Sequence, residues 1–190
     1  MNAVTDIVLI GGSAGSTKVL LEVTKGLKPD LNLSIVLVVH KKSSSDFLLG
    51  NLIASRTMLT VKEAEEKEKL LPGIIYIAPA DYHLLFEKDF TMSLDVSEKI
   101  NFSRPSIDVS FMSAALAFGN RVAGILISGA NADGTDGLKN IFENGGIVAV
   151  QDFNDAETPY MPQYATERIP GIVILKTDKI AEFINNLKTA

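Results

Sequence analysis

The sequence predicts an α/β fold, a doubly wound and mostly parallel sheet carrying one antiparallel β-hairpin. Three observations predict it. Almost wholly apolar runs such as Ile7-Val-Leu-Ile10 and Leu33–Val39 have the composition of strands buried on both faces. Between them Val19, Leu20, Val23 and Leu27 recur at helical spacing. Strand, helix and strand fit within about 35 residues, the size of one βαβ unit, whose two strands are parallel.

The elements follow in order. The first apolar run leads into Gly11-Gly-Ser-Ala-Gly15, and the helical pattern starts after Ser16. A glycine turn between strand and helix sets Ser13 at the carboxyl end of the strand, beside backbone N–H groups able to receive negative charge. Gly11-x-Ser13-x-Gly15 has nucleophile-elbow spacing. A turn that only lets the helix pack close to the sheet would carry the same glycines. The helix ends between Gly26 and Pro29, and the second strand, Leu33–Val39, hands over to His40. Parallel pairing puts Ser13 and His40 on one edge of the sheet, although a polar loop histidine is the alternative there.

Asp46–Ala54 forms a short helix with Asp46 as its cap, and the charge run Val61–Lys69 reads as solvated surface. Leu71-Pro-Gly turns into a third strand, Ile74–Ala78. Tyr82–Phe86 and Thr91–Val96 flank Glu87-Lys-Asp-Phe90 as a hairpin, and the apolar neighbours of His83 mark it as a packed structural histidine. Phe102–Val109 opens a helix with Ser106 and Asp108 in its first turn, while Ile107, Phe111, Leu116 and Phe118 supply apolar surface. Strand Val122–Ile127 ends in Ser128–Gly137, the most polar glycine-rich turn in the chain. A helix from Leu138, strand Ile147–Val150, a long loop through Pro162, strand Ile172–Leu175 and a helix from Lys179 complete the chain.

The bulk numbers narrow the function. A length of 190 residues fits one domain, 1–190, large enough to bury about 70% of its unfolded surface. With 46% hydrophobic and 22% charged residues the composition is globular, and a net charge of −5 argues against a general nucleic-acid surface. The absence of cysteine excludes disulfides, thiolate chemistry and cysteine metal sites. His40 and His83 are the only imidazoles. No apolar run is long enough to span a membrane, and no basic segment followed by an apolar one opens the chain. The expectation is therefore a cytoplasmic protein without membrane insertion.

In open α/β sheets chemistry gathers beyond the carboxyl ends of the strands. Three such ends carry Ser13, His40 and the Asp133/Asp136 turn. They are the parts of a nucleophile, its base and a carboxylate that orients the base. From the residues alone, either aspartate fits, and both also fit as caps of the following helix. Both histidines precede the acidic turn, so the Ser–Asp–His order of the α/β-hydrolases does not apply. A nucleotide-binding reading fares worse. The glycines miss the G-x-G-x-x-G spacing, and His40 stands where an acidic residue would hold a ribose.

The chain resembles the catalytic domain of the chemotaxis protein-glutamate methylesterases, the CheB type. The resemblance rests on Ile10-Gly-Gly-Ser-Ala-Gly15, Val39-His40, Val61-Lys-Glu-Ala64, Pro72-Gly, Ile77-Ala-Pro79 with His83, Arg104-Pro-Ser-Ile-Asp108, Ser128-Gly-Ala-Asn-Ala-Asp-Gly134, Gln151 and Met161-Pro162. It implies a Rossmann-like three-layer sandwich, Ser13 as nucleophile, His40 as general base and acid, and Asp133 rather than Asp136 as the orienting carboxylate. It implies hydrolysis of glutamyl methyl esters on the cytoplasmic domain of chemoreceptors, with glutamine deamidation in some relatives, and neither metal nor cofactor.

Some positions depart from the family pattern. Ser13-Ala14-Gly15-Ser16 stands for Ser-Thr-Gly-Gly, His40-Lys41-Lys42 for His-Met-Pro, and Ala130 for a methionine near the oxyanion site. Backbone donors survive such changes, which keeps Ala14 and Ala130 as oxyanion and substrate-site candidates. The same substitutions support the competing reading, a CheB-like binding module with weakened or silent chemistry. The usual N-terminal receiver domain is not expected, since the first strand begins near Asp6. Control by a separate receiver or regulatory chain is the corresponding expectation.

Overall fold

The computed structural model describes residues 5–40 and 46–189. Strands β1 (Ile7–Gly12) and β2 (Ser34–Val39) are buried at every position, as their apolar runs require. Between them lies helix α1 (Ser16–Lys25), and after them helix α2 (Asp46–Ala54). The cap expected of the Asp46 side chain lies outside the described residues, as do Lys41 and Lys42. Strands β3 (Thr60–Glu63) and β4 (Ile74–Ile77) come next, then the hairpin strands β5 (His83–Phe86) and β6 (Met92–Asp95). The remaining elements are α3 (Ile107–Phe118), β7 (Val122–Leu126), α4 (Thr135–Glu143), β8 (Ile147–Gln151), α5 (Tyr160–Thr166), β9 (Val173–Leu175) and α6 (Thr177–Asn185).

Seven strands form one sheet in the order β3-β4-β2-β1-β7-β8-β9, and every adjacent pair is parallel. The antiparallel β5–β6 pair stands apart as a two-stranded sheet. Alternation along β1 divides the core. Ile7 and Leu9 join the cluster under α3, α4, α5 and the hairpin, while Val8 and Ile10 join the cluster under α1, α2 and α6. Helices on both faces of a parallel sheet make the expected three-layer architecture. Among the described residues no helix is long and apolar enough to cross a membrane.

Three expectations need correction. The Val61–Lys69 run is not simply solvated surface, because Thr60–Glu63 pairs with β4 as the edge strand and Ala64 is buried. An edge position lets charges point outward, and Lys62 meets Glu65 at 3.2 Å and Glu68 at 2.8 Å on that rim. The rest of the run lies along the hairpin, with Lys67 N donating to Met92 O and Leu70 N to Phe90 O, both at 2.8 Å. The loop expected through Pro162 contains α5. Pro162 falls in its first turn, where a missing N–H leaves no hydrogen bond unmade. Leu116, counted as apolar packing surface, is 70% exposed on the outer side of α3.

The sheet register decides where the chemistry lies. Gly12 pairs with Val39 and Gly11 with Leu126, so Ser13 and His40 leave adjacent strands side by side. The turn after β7 closes against the start of α3 through Gly134, whose φ is +95°. A Cβ there would lie 2.6 Å from both Ile107 Cγ2 and Leu126 Cδ2. Only glycine satisfies both constraints. Gly134→Ala is expected to lower unfolding free energy by about 3 kcal/mol, strain and overpacking together. Urea denaturation measures this, and a loss below about 1 kcal/mol would contradict the close approach.

Candidate active site

Ser13 sits in the turn between β1 and α1. Ser13 N donates to Ser128 O at 2.9 Å, and the Ser13 carbonyl accepts from Ser16 N at 3.1 Å and Ser16 Oγ at 2.6 Å. Gly15 takes φ +77°, which turns the chain sharply from strand into helix. Ser128 braces the same turn from the end of β7. Its hydroxyl donates to Ala14 O and accepts from Thr158 N, each at 2.9 Å, and its own N–H donates to buried Gln151 Oε1 at 2.9 Å. The Ser13 turn is thus held on both sides by backbone and by a buried hydroxyl.

His40 bridges two strand ends. Its Nδ1 lies 3.2 Å from Ser13 Oγ and its Nε2 lies 2.7 Å from Asp133 Oδ2. The ring is 12% exposed and the carboxylate fully buried, so solvent reaches the serine side of the chain of contacts and not the aspartate side. With the carboxylate accepting, the proton sits on Nε2 and Nδ1 is free to accept from the serine hydroxyl. The nitrogens exchange the roles they have in the chymotrypsin arrangement, where the carboxylate holds Nδ1. The donor-acceptor logic is unchanged.

Asp133 lies beneath the N-terminus of α3. Its Oδ2 also accepts from Ile107 N at 2.8 Å, and its Oδ1 accepts from Ser106 Oγ at 2.9 Å, Asp108 N at 3.1 Å and Asn101 Nδ2 at 3.2 Å. Burial alone would raise the pKa of this carboxyl. The hydrogen bond from His40 and those from the Ile107 and Asp108 N–H groups outweigh burial and hold it below the usual carboxylate range. The positive end of α3 acts in the same direction. The charged form of Asp133 is thereby favoured as the acceptor for the imidazole. Asp136, the other aspartate of the turn, is exposed in the first turn of α4 and takes no part in the His40 contacts.

His83 has the structural place expected of it. It is fully buried on β5, accepts from Ser106 N at 3.1 Å through Nδ1, and faces Glu98 O at 2.9 Å through Nε2. It thereby fixes the residue that both caps α3 and donates to Asp133. Asp108 is buried too. Burial and then the nearby Asp133 charge push its carboxyl above the usual range, against the Gly137 N–H that donates to it at 2.8 Å. Among the described residues no group of three His, Asp or Glu side chains is arranged to hold a metal ion.

The mouth of the site is a cavity of about 230 Å³ lined by Ser13, Thr17, Val39, His40, Leu48, Leu49 and Leu52. Its wall is apolar on the α2 side, where Leu48 is 65% exposed. A larger cavity of about 560 Å³, with Gly15, Lys18, Glu157 and Lys176 on its walls, lies on the far side of the serine turn and contains neither Ser13 nor His40. Of the two, only the smaller is lined by Ser13 and His40. Ala14 and Ala130 are exposed at the two strand ends, and among the described residues neither backbone N–H donates to a protein acceptor. Asn101 and the α2 leucines have no counterpart in the sequence-based site. Asn101 lies 32 residues from Asp133, just outside the Arg104–Asp108 motif, so only the folded chain reveals the contact.

Comparison with known proteins gives one answer. A family profile described as CheB methylesterase matches residues 8–184. A Leptospira interrogans protein whose name pairs protein-glutamate methylesterase with protein-glutamine glutaminase is 40% identical over 182 residues, covering 96% of this chain and 94% of that protein. A Maricaulis maris protein with both activities in its name is 34% identical over 150 residues, covering 77% of this chain but 37% of its own length. The crystal structure of the Thermotoga maritima CheB methylesterase catalytic domain superposes with a TM-score of 0.92 at 32% identity, covering 96% of this chain and 98% of that one.

Proposed function

The chain belongs to the CheB methylesterase family, and from that premise we propose that it hydrolyses glutamyl γ-methyl esters on the cytoplasmic part of chemoreceptors, using Ser13, His40 and Asp133. The observation that carries the proposal is one imidazole joining a partly exposed serine hydroxyl, at 3.2 Å, to a buried carboxylate, at 2.7 Å.

Ser13 Oγ attacks the ester carbonyl while His40 Nδ1 takes its proton. The carbonyl oxygen becomes an oxyanion, and the N–H of Ala14, the residue after the nucleophile, is placed to receive it, with Ala130 N–H across the cleft. Asp133 stabilises the imidazolium that forms. Collapse of the tetrahedral adduct breaks the bond to the methoxy oxygen, which leaves as methanol with the proton from Nδ1. Water then attacks the acyl-enzyme, His40 takes one of its protons, and release of the glutamate carboxylate returns that proton to Ser13. With a glutamine amide the same steps release ammonia, which supports the glutaminase half of the relatives' names. The apolar wall of Leu48, Leu49 and Leu52 suits an uncharged methyl ester better than the charged product. Replacing Thr and Met by Ala14 and Ala130 leaves the backbone donors and widens the space around them.

A fluorophosphonate reagent tests the reading at one atom. Ser13 is expected to be the labelled residue by peptide mapping, with labelling lost in His40→Ala. Stoichiometric labelling at another serine would overturn the assignment. Absence of both labelling and methanol release from a glutamyl methyl ester peptide would favour the silent module.

A further inference from the structure

Among the described residues four groups besides His40 donate to Asp133. Three of them, Ser106 Oγ, Ile107 N and Asp108 N, belong to the start of α3 and come with the helix. The fourth, Asn101 Nδ2, arrives from the preceding loop at 3.2 Å and reaches Asp108 Oδ2 at 3.0 Å as well. One uncharged amide thus bridges two buried carboxyl groups that also meet each other directly. Its two hydrogens suffice for one bond to each.

The loop is built to hold it there. Asn101 has φ +52° and Phe102 φ +62°. Asparagine tolerates the left-handed region, phenylalanine poorly, so neighbouring contacts must impose the conformation. Arg104 Nη1 donates to Val96 O and to Ser97 O, both at 2.7 Å, and Ser103 N donates to Ile100 O at 2.9 Å. Phe102 is 99% exposed, so packing of its side chain is not what the strained backbone serves. What the segment does place is the Asn101 amide.

We propose that Asn101 is a positioning residue for ester hydrolysis, acting through Asp133 by holding its Oδ1 with a donor shared with Asp108 and so keeping Oδ2 aimed at His40. This rests on the triad reading above. Without the amide, the two carboxyl groups, which already meet each other directly, lose the donor that both accept from. Asp133 then relieves the repulsion by turning away from His40 Nε2 or by sharing a proton with Asp108, and either response weakens the base. Asn101 touches neither the nucleophile nor the base directly.

The experiment measures methanol release from a glutamyl γ-methyl ester peptide by wild type, Ser13→Ala, Asn101→Asp, Asn101→Gly and Asp133→Asn. Asn101→Asp keeps shape and left-handed tolerance but replaces the donor by an acceptor. Asn101→Gly relaxes the backbone and removes the amide, which covers the case in which the aspartate variant does not fold. Each is expected to lower kcat by about 10- to 100-fold with KM unchanged, the scale of one charge-assisted hydrogen bond. In the Asp133→Asn background neither should change kcat by more than about twofold, because the group through which Asn101 acts is gone. Wild-type kcat in both variants, a loss confined to KM, or the same fold-loss with and without Asp133 would overturn the proposal while leaving the triad intact. Full activity in Ser13→Ala would instead overturn the triad reading, and this inference with it.

Discussion

Ser13→Ala and His40→Ala are each expected to lower kcat for methyl ester hydrolysis by about 10⁵- to 10⁶-fold, and the double variant is expected to be no worse than either. The reason is the shared proton. Ser13 Oγ is a weak nucleophile until the imidazole 3.2 Å away accepts its hydrogen, and without the serine there is no acyl-enzyme for the imidazole to deacylate. Removing either half removes the whole step, and the residual rate over water comes from the oxyanion donors and from binding. Stability should separate the two variants from a folding defect. Among the described residues the Ser13 hydroxyl has no partner but His40, so Ser13→Ala should unfold at the wild-type temperature. Losses that multiply in the double variant would show that the two side chains act in separate steps, and the relay drawn from the geometry would be wrong.

Much of this arrangement is legible in the chain, and the physical reasons are specific. Strands β1 and β2 are buried on both faces, so their apolar runs announce them, and a βαβ unit fixes their direction. Because Gly12 and Val39 are paired, the residue after each strand is a neighbour of the other, and Ser13 and His40 meet by register alone. The choice between Asp133 and Asp136 is different. From composition and spacing both fit, and it is the descent of α3 onto the turn, through Gly134 and Ile107, that buries one and leaves the other exposed. Strand β3 hides in a charge run because an edge strand satisfies its backbone on one side and leaves its side chains in water. Helix α5 hides behind Pro159 and Pro162, which suggest loop but are compatible with a first helical turn. Asn101 hides because a left-handed loop residue carries no periodicity at all.

Asp133→Asn is expected to lower kcat by about 10⁴-fold and, unlike Ser13→Ala, to destabilise the fold. Among the described residues five donors converge on the two carboxylate oxygens, three on Oδ1 and two on Oδ2. An amide offers one acceptor oxygen and two hydrogens, so its NH₂ must face donors whichever way it turns. The smaller loss places the oxygen toward Ser106, Asp108 N and Asn101 and the NH₂ toward Ile107 N–H and His40 Nε2. The imidazole must then accept at Nε2 and carry its proton on Nδ1, pointing at Ser13 Oγ, which is the wrong tautomer for a base. The Ile107 N–H is left buried without an acceptor, at about 1–3 kcal/mol. The pH dependence of stability should change with it. In the wild type this carboxyl titrates lower when folded than when unfolded, so its contribution is fully present above the unfolded value of about 3.9 and drains away as pH falls below it. The amide cannot titrate, so the variant should lose part of that acid-dependent slope while being less stable at neutral pH. Paired urea melts between pH 3 and pH 7 on both proteins test this. Parallel curves, equally steep in acid, would mean that Asp133 is not held charged by the donors around it, and the electrostatic basis of the site would have to be redrawn.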